Sequence, residues 1–275
     1  MTGIDRYGVM GCPVSHSRSP VIHRLFALQT GQQLQYELLQ VAPDKLDTAI
    51  QQFRRTGGKG LNITVPHKSE VTRLVDHLSE RASTAGAVNT LVFEREQIFG
   101  DNTDGIGLLR DLTVNQQVEL RDARILILGA GGATRGIVGP LLEAEPAAIV
   151  IANRTLDKAR ALAAHFSASG PVSACRFRQV PGNTAFDLVI NATSAGLKGE
   201  TPPYPQQAVS AETVCYDLSY GLSTTPFCRW AAEHGAARSV MGWGMLVEQA
   251  AESFQLWRGI RPDTITVLKQ ISVSA

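Results

Sequence analysis

The sequence predicts an α/β fold built from two domains, and three observations support this prediction. Short apolar runs alternate along the chain with amphipathic segments whose apolar residues have helical spacing. Near the middle of the chain, one aliphatic run leads directly into a glycine cluster within residues 129–132. The length of 275 residues is long for one simple domain and sufficient for two. We therefore expect two α/β domains with a cleft between them and a boundary near Asp104.

The composition argues against several classes of protein. Hydrophobic residues make up 44% of the chain, and the net charge of +1 without a basic run argues against nucleic acid or an anionic membrane as a partner. Neither a signal peptide nor an apolar stretch of membrane-spanning length is evident. The cysteines are scattered, so neither a disulfide framework nor a metal site is predicted, and a reduced cytoplasmic setting is expected.

The first predicted strand, Tyr7–Gly11, leads into a polar loop and then into a helix that ends at Gly31. Pro20 suits the first helical position of this helix, and Ser19 suits its N-cap. Ser17 lies outside the cap, so capping does not explain it. Two hydroxyl groups near a helix N-terminus form a small anion site, and we expect Ser17 and Ser19 to do so.

A strand at residues 36–41 and an amphipathic helix at 43–55 precede a strand at 60–65 that alternates apolar and polar side chains. Asn62 and Thr64 lie on its polar face, which we expect to point into the cleft. The alternative is an edge strand whose polar face contacts water.

Lys68 follows this strand and stands in an unusual position. Pro66 fits the start of another helix, which places Lys68 in or near its first turn. A cation there opposes the helix dipole, at a cost on the order of several tenths of a kcal/mol. Lys68 is therefore misplaced unless a carboxylate or an anionic ligand compensates. The further elements predicted in this half are a helix at 79–86, strands at 87–93 and 98–100, a polar loop at 101–105 and a helix at 106–112.

The aliphatic run 125–128 and the glycine cluster indicate a buried parallel strand, a tight turn and a helix start. A nucleotide pyrophosphate docks in this setting: Gly129 allows the turn, Gly131 lets the backbone approach phosphate, and the helix N–H groups face the anion. The G-x-G-x-x-G fingerprint is incomplete, because Thr134 stands at its third glycine position. A glycine-rich turn without a ligand is the alternative.

The next strand, residues 147–152, ends in Asn153 and Arg154. NAD-binding domains usually place Asp or Glu here to bind the ribose 2′-hydroxyl. A carboxylate would repel a 2′-phosphate, whereas the guanidinium of Arg154 can bind it, so we predict NADP rather than NAD. Lys158 either adds a second positive charge or lies on a solvated helix face, and Asp157 belongs to the first turn of that helix.

The rest of the chain continues the pattern, with parallel-type strands at 186–196 and 213–220 and a helix at 226–235. Gly242 and Gly244 then precede a long C-terminal helix. These glycines either let the backbone pass close to a flat ligand such as nicotinamide or mark a hinge or a tight bend. We expect the helix to pack back onto the first domain and to bring Gln249 to the cleft.

Taken together, these segments resemble the shikimate dehydrogenase family, and the matching motifs span nearly the whole chain. They are Ser17-Arg-Ser19-Pro20, Asn62-Ile-Thr64-Val-Pro-His-Lys68, Gly86-Ala-Val-Asn89-Thr, Asp101-Asn-Thr-Asp104-Gly, Gly129-Ala-Gly-Gly-Ala133, Asn153-Arg-Thr155 and Gly242-x-Gly-Met-Leu246. The resemblance implies a Rossmann-type NADP-binding domain and the reversible reduction of 3-dehydroshikimate to shikimate with NADPH, in the pathway to chorismate and aromatic amino acids. One departure is Met241, where the family commonly has Asp or Asn.

The resemblance also implies roles for individual residues, with Lys68 and Asp104 as the catalytic pair. The implied shikimate site consists of Ser17, Ser19, Asn62, Thr64, Asn89, Tyr220 and Gln249. The implied cofactor site consists of Gly129, Ala130, Gly131, Gly132, Ala133, Asn153, Arg154, Thr155 and Lys158, with Leu218 and Gly242 near the nicotinamide and Glu80 on the cofactor side of the cleft. The implied domains are a substrate-binding domain, 1–104 with a helix at about 245–275, and an NADP-binding domain, 105–244.

These roles agree with the chemistry of ketone reduction. Hydride transfer to carbon leaves charge on oxygen, so a group that donates and accepts a proton is needed beside it. Lys68 can supply that group while Asp104 holds it; the alternative for the pair is a surface salt bridge, which contributes little. Ser17 and Ser19 can donate to a substrate carboxylate, and the amide side chains can match its hydroxyl groups.

Two other functions are weighed against this one. A quinate/shikimate dehydrogenase that uses NAD is disfavoured by Arg154 and by the absence of an acid at position 153. An NADPH-binding regulator without catalytic activity is disfavoured by the retention of both Lys68 and Asp104. The sequence does not determine the oligomeric state, for which a homodimer is one hypothesis.

Overall fold

The computed structural model describes residues 4–182, 185–193, 195 and 202–273. The chain divides into two compact units. One contains the residues up to Leu108 together with those from Leu246 onward, and the other is Leu109–Met245. None of the helices in the described ranges has the length and apolar character needed to cross a membrane.

Each unit is built on one β-sheet, with helices between its strands. The strands of the first unit are β1 (Asp5–Gly11), β2 (Leu34–Gln40), β3 (Gly58–Ile63), β4 (His77–Leu78), β5 (Thr90–Glu94) and β6 (Gln97–Asp101). Those of the second are β7 (Arg124–Leu128), β8 (Ala148–Ala152), β9 (Val172–Cys175), β10 (Leu188–Asn191), β11 (Val214–Asp217) and β12 (Arg238–Met241). The helices are α1 (Ser19–Thr30), α2 (Leu46–Arg55), α3 (Glu80–Ala85), α4 (Asp104–Arg110), α5 (Gly132–Glu143), α6 (Leu156–Phe166), α7 (Pro226–Glu233), α8 (Trp243–Arg258) and α9 (Thr264–Val273).

The first sheet is mixed, with strand order β2-β1-β3-β5-β6-β4. β1 is parallel to β2 and β3, whereas β5 is antiparallel to β3 and β6. Because β1 and β3 are parallel neighbours, the segments that follow them leave the same edge of the sheet. Ser17 and Ser19 follow β1 and Lys68 follows β3, so the topology brings these two segments to one edge.

Helix α8 packs against the first sheet, as the sequence predicted. The indole of Trp257 stacks on the ring of Tyr7 with centroids 4.6 Å apart, and its Nε1–H donates to the Leu91 carbonyl at 2.9 Å. A Cβ at Gly60 would lie 2.3 Å from that nitrogen, so the strand needs a glycine where the indole packs. The C-terminal part of the chain thereby completes the core of the first unit.

The second sheet is entirely parallel, with strand order β12-β11-β10-β7-β8-β9. The apolar residues of β7, Ile125–Leu128, are completely buried, as expected for a central strand covered on both faces. The strand order reverses direction between β7 and β10, and ligands of doubly wound sheets bind at such a reversal, beyond the carboxyl ends of the strands. The predicted Rossmann-type domain is therefore present.

The N-terminus of α1 differs from the prediction. The helix begins at Ser19, Arg18 occupies the N-cap position, and no side chain caps the helix. The hydroxyl of Ser19 accepts a hydrogen bond from Ser17 Oγ at 3.1 Å instead. The predicted N-cap at Ser19 is therefore wrong, because the hydroxyl is paired with its neighbour outside the helix. The predicted end of α1 is correct, with Gly31 in the left-handed region at φ +65°.

The helix predicted to begin at Pro66 is also wrong. Residues 64–67 form a turn in which the His67 N–H donates to the Thr64 carbonyl at 3.0 Å. The Lys68 carbonyl accepts from the Val88 N–H at 2.8 Å, and a short 3₁₀ turn appears only at Glu70–Arg73. This bond to a segment distant in sequence fixes the backbone at Lys68, and tertiary structure overrides the local proline signal.

Some elements escaped the sequence analysis. β4 has two residues and β9 has four, which is too short for a clear alternation of polar and apolar side chains, and both lie at sheet edges. Helix α9 was not predicted, nor was β12, which lies just before α8. The strand predicted at 186–196 ends at Asn191, while Ser194 and Gly196 of that prediction lie outside the described residues.

Candidate active site

Lys68 and Asp104 form an ion pair within the first unit. The Nζ atom of Lys68 lies 2.5 Å from Oδ2 of Asp104, and only 13% and 5% of the two side chains are exposed. This pair is therefore not the exposed salt bridge that was the alternative for it. A largely buried ammonium beside one carboxylate can pass a proton to a group placed next to it.

The start of α4 holds Asp104 in place. Its backbone N–H donates to Oδ1 of Asn102 at 3.1 Å, and the Asn102 amide donates to the Ala87 carbonyl at 2.9 Å. Asn102 thus binds the N–H group of the first residue of α4. The carboxylate of Asp104 is left to bind Lys68.

Asp101, in the same acidic loop, has a structural partner. Its carboxylate accepts two hydrogen bonds from Arg81 at 2.7 Å and one from Ser79 at 2.5 Å. Burial raises the pKa of Asp101, but the hydrogen bonds from Arg81 and Ser79 outweigh burial, and the pKa is lowered overall. Asp101 is therefore a structural anion, which leaves Asp104 as the carboxylate beside Lys68.

Asn89 connects the ion pair to α8. Its Nδ2 donates to Oδ1 of Asp104 and to Oγ1 of Thr103, both at 2.9 Å, and lies 3.3 Å from Oε1 of Gln249. A Cβ at Gly107 would lie 2.7 Å from the Gln249 Cβ, so α4 and α8 approach closely here. The structure thus brings together four of the predicted site residues, Lys68, Asn89, Asp104 and Gln249.

Asn62 lies on an interior strand, and its place in the substrate site stays a prediction. β3 is an interior strand, paired with β1 and β5, and Asn62 is 6% exposed. Its Nδ2 faces the Asn89 carbonyl at 3.2 Å, Thr90 Oγ1 at 3.1 Å and Ser253 Oγ at 2.9 Å, and its Oδ1 accepts from the Tyr36 hydroxyl at 2.7 Å. The amide is therefore engaged with protein groups, and the edge-strand alternative does not hold.

The predicted anion site retains its paired hydroxyls. Ser17 Oγ donates to Ser19 Oγ and accepts from the Ser19 N–H at 3.3 Å, beside the uncapped N-terminus of α1. Thr64 lies at the same edge of the sheet, where its N–H donates to the Met10 carbonyl at 2.9 Å. A Cβ at Gly11 would lie 2.3 Å from Thr64 Cγ2, so the glycine leaves room for the Thr64 side chain.

The glycine turn of the second unit has the form predicted from its sequence. Gly129 adopts φ +110°, and a Cβ there would lie 3.0 Å from the Ala192 carbonyl. Gly131 is the N-cap of α5, where no side chain caps the helix, and nothing lies within 4 Å of a Cβ placed on it. An uncapped helix N-terminus with open space before it fits a phosphate group.

The segment after β8 carries the predicted ribose-binding residues. The amide of Asn153 donates to the Thr155 carbonyl at 2.9 Å, and Arg154 is exposed. Thr155 is the N-cap of α6 but makes no side-chain capping bond, and Lys158 is exposed in the first turn of that helix. Asp157 belongs to the same turn, as predicted. Two cations at an uncapped helix end fit a 2′-phosphate.

Gly242, which precedes α8, and Gly244, the second residue of α8, have a structural explanation. A Cβ at Gly244 would lie 1.9 Å from Oδ1 of Asp111, and a Cβ at Gly242 would lie 2.5 Å from the Leu218 carbonyl. The close packing accounts for both glycines without a ligand, while the place of Gly242 near the nicotinamide stays a prediction. Leu218 therefore lies against Gly242, beyond the carboxyl end of β11, and Tyr220 packs on Trp243 with ring centroids 4.7 Å apart.

Glu80, the remaining residue predicted for the cofactor site, belongs to the first unit. It is the first residue of α3 and is exposed, next to the capping side chain of Ser79. A carboxylate in the first turn of a helix is favoured by the helix dipole, which gives Glu80 a structural explanation. Its place on the cofactor side stays a prediction.

The sequence analysis missed three buried hydroxyls around Asn89, those of Thr90, Thr103 and Ser253. None of their side chains is exposed. Thr90 follows Asn89, Thr103 precedes Asp104, and Ser253 lies one helical turn beyond Gln249. Spacing of one and four residues from predicted site residues was a usable signal, but it is shared by many residues without a role.

Comparisons with known proteins indicate one family in all the matched parts of the chain. Residues 9–91 match the family model described as the shikimate dehydrogenase substrate binding domain, residues 112–201 match shikimate / quinate 5-dehydrogenase, and residues 242–271 match the shikimate 5′-dehydrogenase C-terminal domain. The chain is 53% identical to the shikimate dehydrogenase (NADP(+)) of Alkalilimnicola ehrlichii, covering 96% of this chain and 97% of that one. The corresponding figures for the enzyme of the same name from Aromatoleum aromaticum are 54%, 96% and 96%. The crystal structure of the Thermus thermophilus shikimate 5-dehydrogenase in complex with NADP(H) and shikimate is similar, with a TM-score of 0.86 and 33% identity over 98% of this chain and 99% of that one.

Proposed function

The chain belongs to the shikimate dehydrogenase family, and we propose that it interconverts shikimate and 3-dehydroshikimate with NADP, using Lys68 and Asp104 as its catalytic pair. The observation that carries this proposal is the ion pair itself. Lys68 and Asp104 are 36 residues apart in sequence, yet their side chains meet at 2.5 Å in a largely buried position. Asn89 and Gln249 adjoin the pair.

Each member of the pair has a distinct task. NADPH, when bound, supplies the hydride that reduces the ketone. The ammonium of Lys68 then donates a proton from Nζ to the carbonyl oxygen as charge develops there, and takes one from the hydroxyl in the reverse direction. Asp104 keeps the lysine oriented through Oδ2 and keeps Oδ1 against the Asn89 amide.

The substrate site is proposed at the same edge of the first sheet. The hydroxyls of Ser17 and Ser19, beside the uncapped end of α1, bind the substrate carboxylate. The ring hydroxyls are matched by Asn62, Thr64, Asn89, Gln249 and Tyr220. Polar groups of this kind discriminate against apolar analogues, because such analogues would leave the groups unpaired.

The cofactor site is proposed at the carboxyl edge of the second sheet. The backbone from Gly129 to Ala133 binds the pyrophosphate, and Asn153, Arg154, Thr155 and Lys158 bind the ribose and its 2′-phosphate. Leu218 and Gly242 adjoin the nicotinamide, and Glu80 lies on the cofactor side. Met241, which departs from the family pattern, is half-buried at the end of β12 and precedes this turn.

The domain assignment follows from these proposals. Residues 1–104 with the helix at about 245–275 form the substrate-binding domain, and 105–244 form the NADP-binding domain. A cytoplasmic location is proposed for the enzyme. A homodimer is kept as a hypothesis, which sedimentation equilibrium of the purified protein would test.

Formation of NADPH from shikimate and NADP⁺ tests the proposed activity. The purified protein should increase the absorbance of NADPH with shikimate and respond weakly when quinate replaces shikimate or NAD⁺ replaces NADP⁺. Faster turnover of quinate with NAD⁺ would identify the protein as the alternative, a quinate/shikimate dehydrogenase that uses NAD. NADPH binding without turnover of either substrate would identify the regulator.

A further inference from the structure

We infer that Ser253 is a positioning residue, whose hydroxyl fixes the Asn89 amide through Thr90 and Thr103 so that Asn89 donates to the Asp104 carboxylate. The inference rests on the proposed catalytic role of Lys68 and Asp104. Ser253, Thr90 and Thr103 themselves have no place in the proposed substrate or cofactor sites.

The orientation of the Asn89 amide is set by one neighbour that can only donate a hydrogen bond and one that can only accept. The backbone N–H of Thr103 can only donate, and it faces Asn89 Oδ1 at 2.8 Å. The carboxylate of Asp104 can only accept when ionised, and it faces Nδ2 at 2.9 Å. The reversed amide would place an oxygen against the carboxylate and a nitrogen against a backbone donor, so both contacts would be lost.

The hydroxyls of Thr90 and Thr103 complete this arrangement. Thr90 Oγ1 donates to Asn89 Oδ1 at 2.9 Å, and Thr103 Oγ1 accepts from Asn89 Nδ2 at 2.9 Å. A hydroxyl rotates freely about its C–O bond unless its other partners fix it. Both threonines are fully buried, so their hydroxyl protons must be fixed by other protein groups.

Ser253 is the group that both threonine hydroxyls contact. Its Oγ lies 2.8 Å from Thr90 Oγ1 and 3.3 Å from Thr103 Oγ1. Because the single proton of Thr90 is donated to Asn89 Oδ1, Ser253 must be the donor in its contact with Thr90, which is nearer than its other acceptor, the Gln249 carbonyl at 3.1 Å. Ser253 thus donates to Thr90 Oγ1 and offers its lone pairs to Asn62 Nδ2 and the Thr103 hydroxyl, which defines the direction of the hydrogen bonds around it.

Asn62 and Tyr36 extend the chain of donors. The Tyr36 hydroxyl donates to Asn62 Oδ1, and Asn62 Nδ2 donates to Ser253 Oγ at 2.9 Å and Thr90 Oγ1 at 3.1 Å. Every donor in the series Tyr36, Asn62, Ser253, Thr90, Asn89 points towards Asp104. Hydrogen bonds aligned in this way polarise one another, so removing a central member weakens the final bond to the carboxylate.

A double-mutant cycle separates this role from a merely structural one. Ser253→Ala should lower kcat/KM for shikimate about 10-fold while the KM for NADP⁺ changes less than about two-fold. In the Asn89→Ala background, Ser253→Ala should lower kcat/KM less than about two-fold, because its effect passes through the missing amide. An equal loss in both backgrounds, or no loss in either, overturns the inference.

Two further variants complete the test. Thr90→Val removes the hydroxyl that donates to Asn89 with nearly unchanged volume, and it takes the place of Ser253→Ala in the cycle if that variant does not fold. Thr213→Val is the matched control: Thr213 is fully buried in the second unit, where its hydroxyl donates to the Phe186 carbonyl at 2.7 Å. It should lower Tm and leave kcat/KM for shikimate unchanged. If the wild type does not oxidise shikimate, both the proposed function and this inference are wrong. If the wild type is active but the effects of Ser253→Ala and Asn89→Ala are additive, only this inference is wrong.

Discussion

Lys68 illustrates how much a single residue depends on its surroundings. Its position in the sequence predicted a helix start, where a cation is disfavoured. In the structure, Lys68 instead follows a turn and pairs with a carboxylate. The sequence analysis correctly inferred that Lys68 needs a compensating anion, although the helix on which that inference was based does not form at Pro66. The reason is that proline at position 66 is compatible with a turn as well as with a first helical residue.

Replacing Lys68 with alanine should lower kcat by at least about 100-fold and change the KM for shikimate modestly, because a general acid acts mainly in the transition state. Steady-state kinetics with shikimate and NADP⁺ measure both values. Lys59→Ala is the matched control, since Lys59 is exposed in the same unit and its loss changes the charge equally. A near-normal kcat for Lys68→Ala would exclude the residue from the mechanism.

Arg154 is the residue proposed to select NADP over NAD. Arg154→Ala should reduce the ratio of NADP⁺ to NAD⁺ efficiency, because the guanidinium binds only the cofactor that has a 2′-phosphate. The ratio of kcat/KM values with each cofactor is the measurement. Arg160→Ala, an exposed arginine on the helix that follows, should leave the ratio unchanged. If both variants keep the wild-type ratio, Arg154 does not select the cofactor.

At the scale of secondary-structure elements, the glycines divide into two groups with different reasons. Gly244 and Gly60 are required by neighbouring side chains, which would overlap an added Cβ at 1.9 and 2.3 Å. Gly131 has no such neighbour, and its φ of −101° is open to any residue. A glycine that the fold does not require, at the uncapped start of α5, fits the pyrophosphate site proposed there.

Gly131→Ala should raise the KM for NADP⁺ about 10-fold or more while the free energy of unfolding falls by less than about 1 kcal/mol. The added methyl group occupies the space before the helix without contacting the protein. Initial rates at varied NADP⁺ and urea denaturation give the two quantities. An unchanged KM would mean that the turn does not bind the pyrophosphate.

Gly244→Ala should behave in the opposite way. The Cβ would overlap Asp111, whose carboxylate also binds the buried hydroxyl of Tyr216 at 2.5 Å. Burial of Tyr216 and the charge of Asp111 raise the pKa of this phenol, so the hydroxyl stays a donor at neutral pH. We expect a loss of about 1–3 kcal/mol in the free energy of unfolding, measured by urea denaturation. Stability equal to that of the wild type would show that the packing adjusts without cost.

At the scale of the whole molecule, His23 links stability to pH. It is fully buried on α1, stacked on Tyr36 at 4.3 Å, and neither ring nitrogen has a hydrogen-bond partner among the described residues. Burial lowers the pKa of His23 to about 3, opposed in part by the nearby Asn62 amide. The unfolded chain binds a proton near pH 6.5, so between about pH 6.5 and 3 it binds more protons than the folded chain, and stability falls as pH falls.

The wild type should therefore lose about 2 kcal/mol more than His23→Phe in free energy of unfolding between pH 7.5 and about pH 5. Urea denaturation at the two pH values measures the difference, which does not depend on the stability of either protein at neutral pH. His77→Phe, which replaces an exposed histidine, should keep the wild-type pH dependence. Parallel pH profiles for the wild type and His23→Phe would show that His23 does not titrate as the structure requires.

The sequence by itself determined the α/β class, the family and the cofactor, because these depend on local patterns. An aliphatic run followed by Gly129 and Gly131 defines strand, turn and helix within a dozen residues, and Arg154 needs no distant partner to indicate NADP. The same locality explains why the ends of α1 and α3 were placed near their glycines.

Only the tertiary structure decided what surrounds the predicted site. Asn62 and Ser253 are 191 residues apart in sequence, and no local pattern shows that their side chains meet at 2.9 Å. The tertiary contacts also made β3 an interior strand and placed the amide of Asn62 in a buried network, while its role as a substrate ligand stays a prediction. The physical reason is that a buried polar group must find hydrogen-bond partners, and those partners are supplied by whichever segments the fold packs beside it.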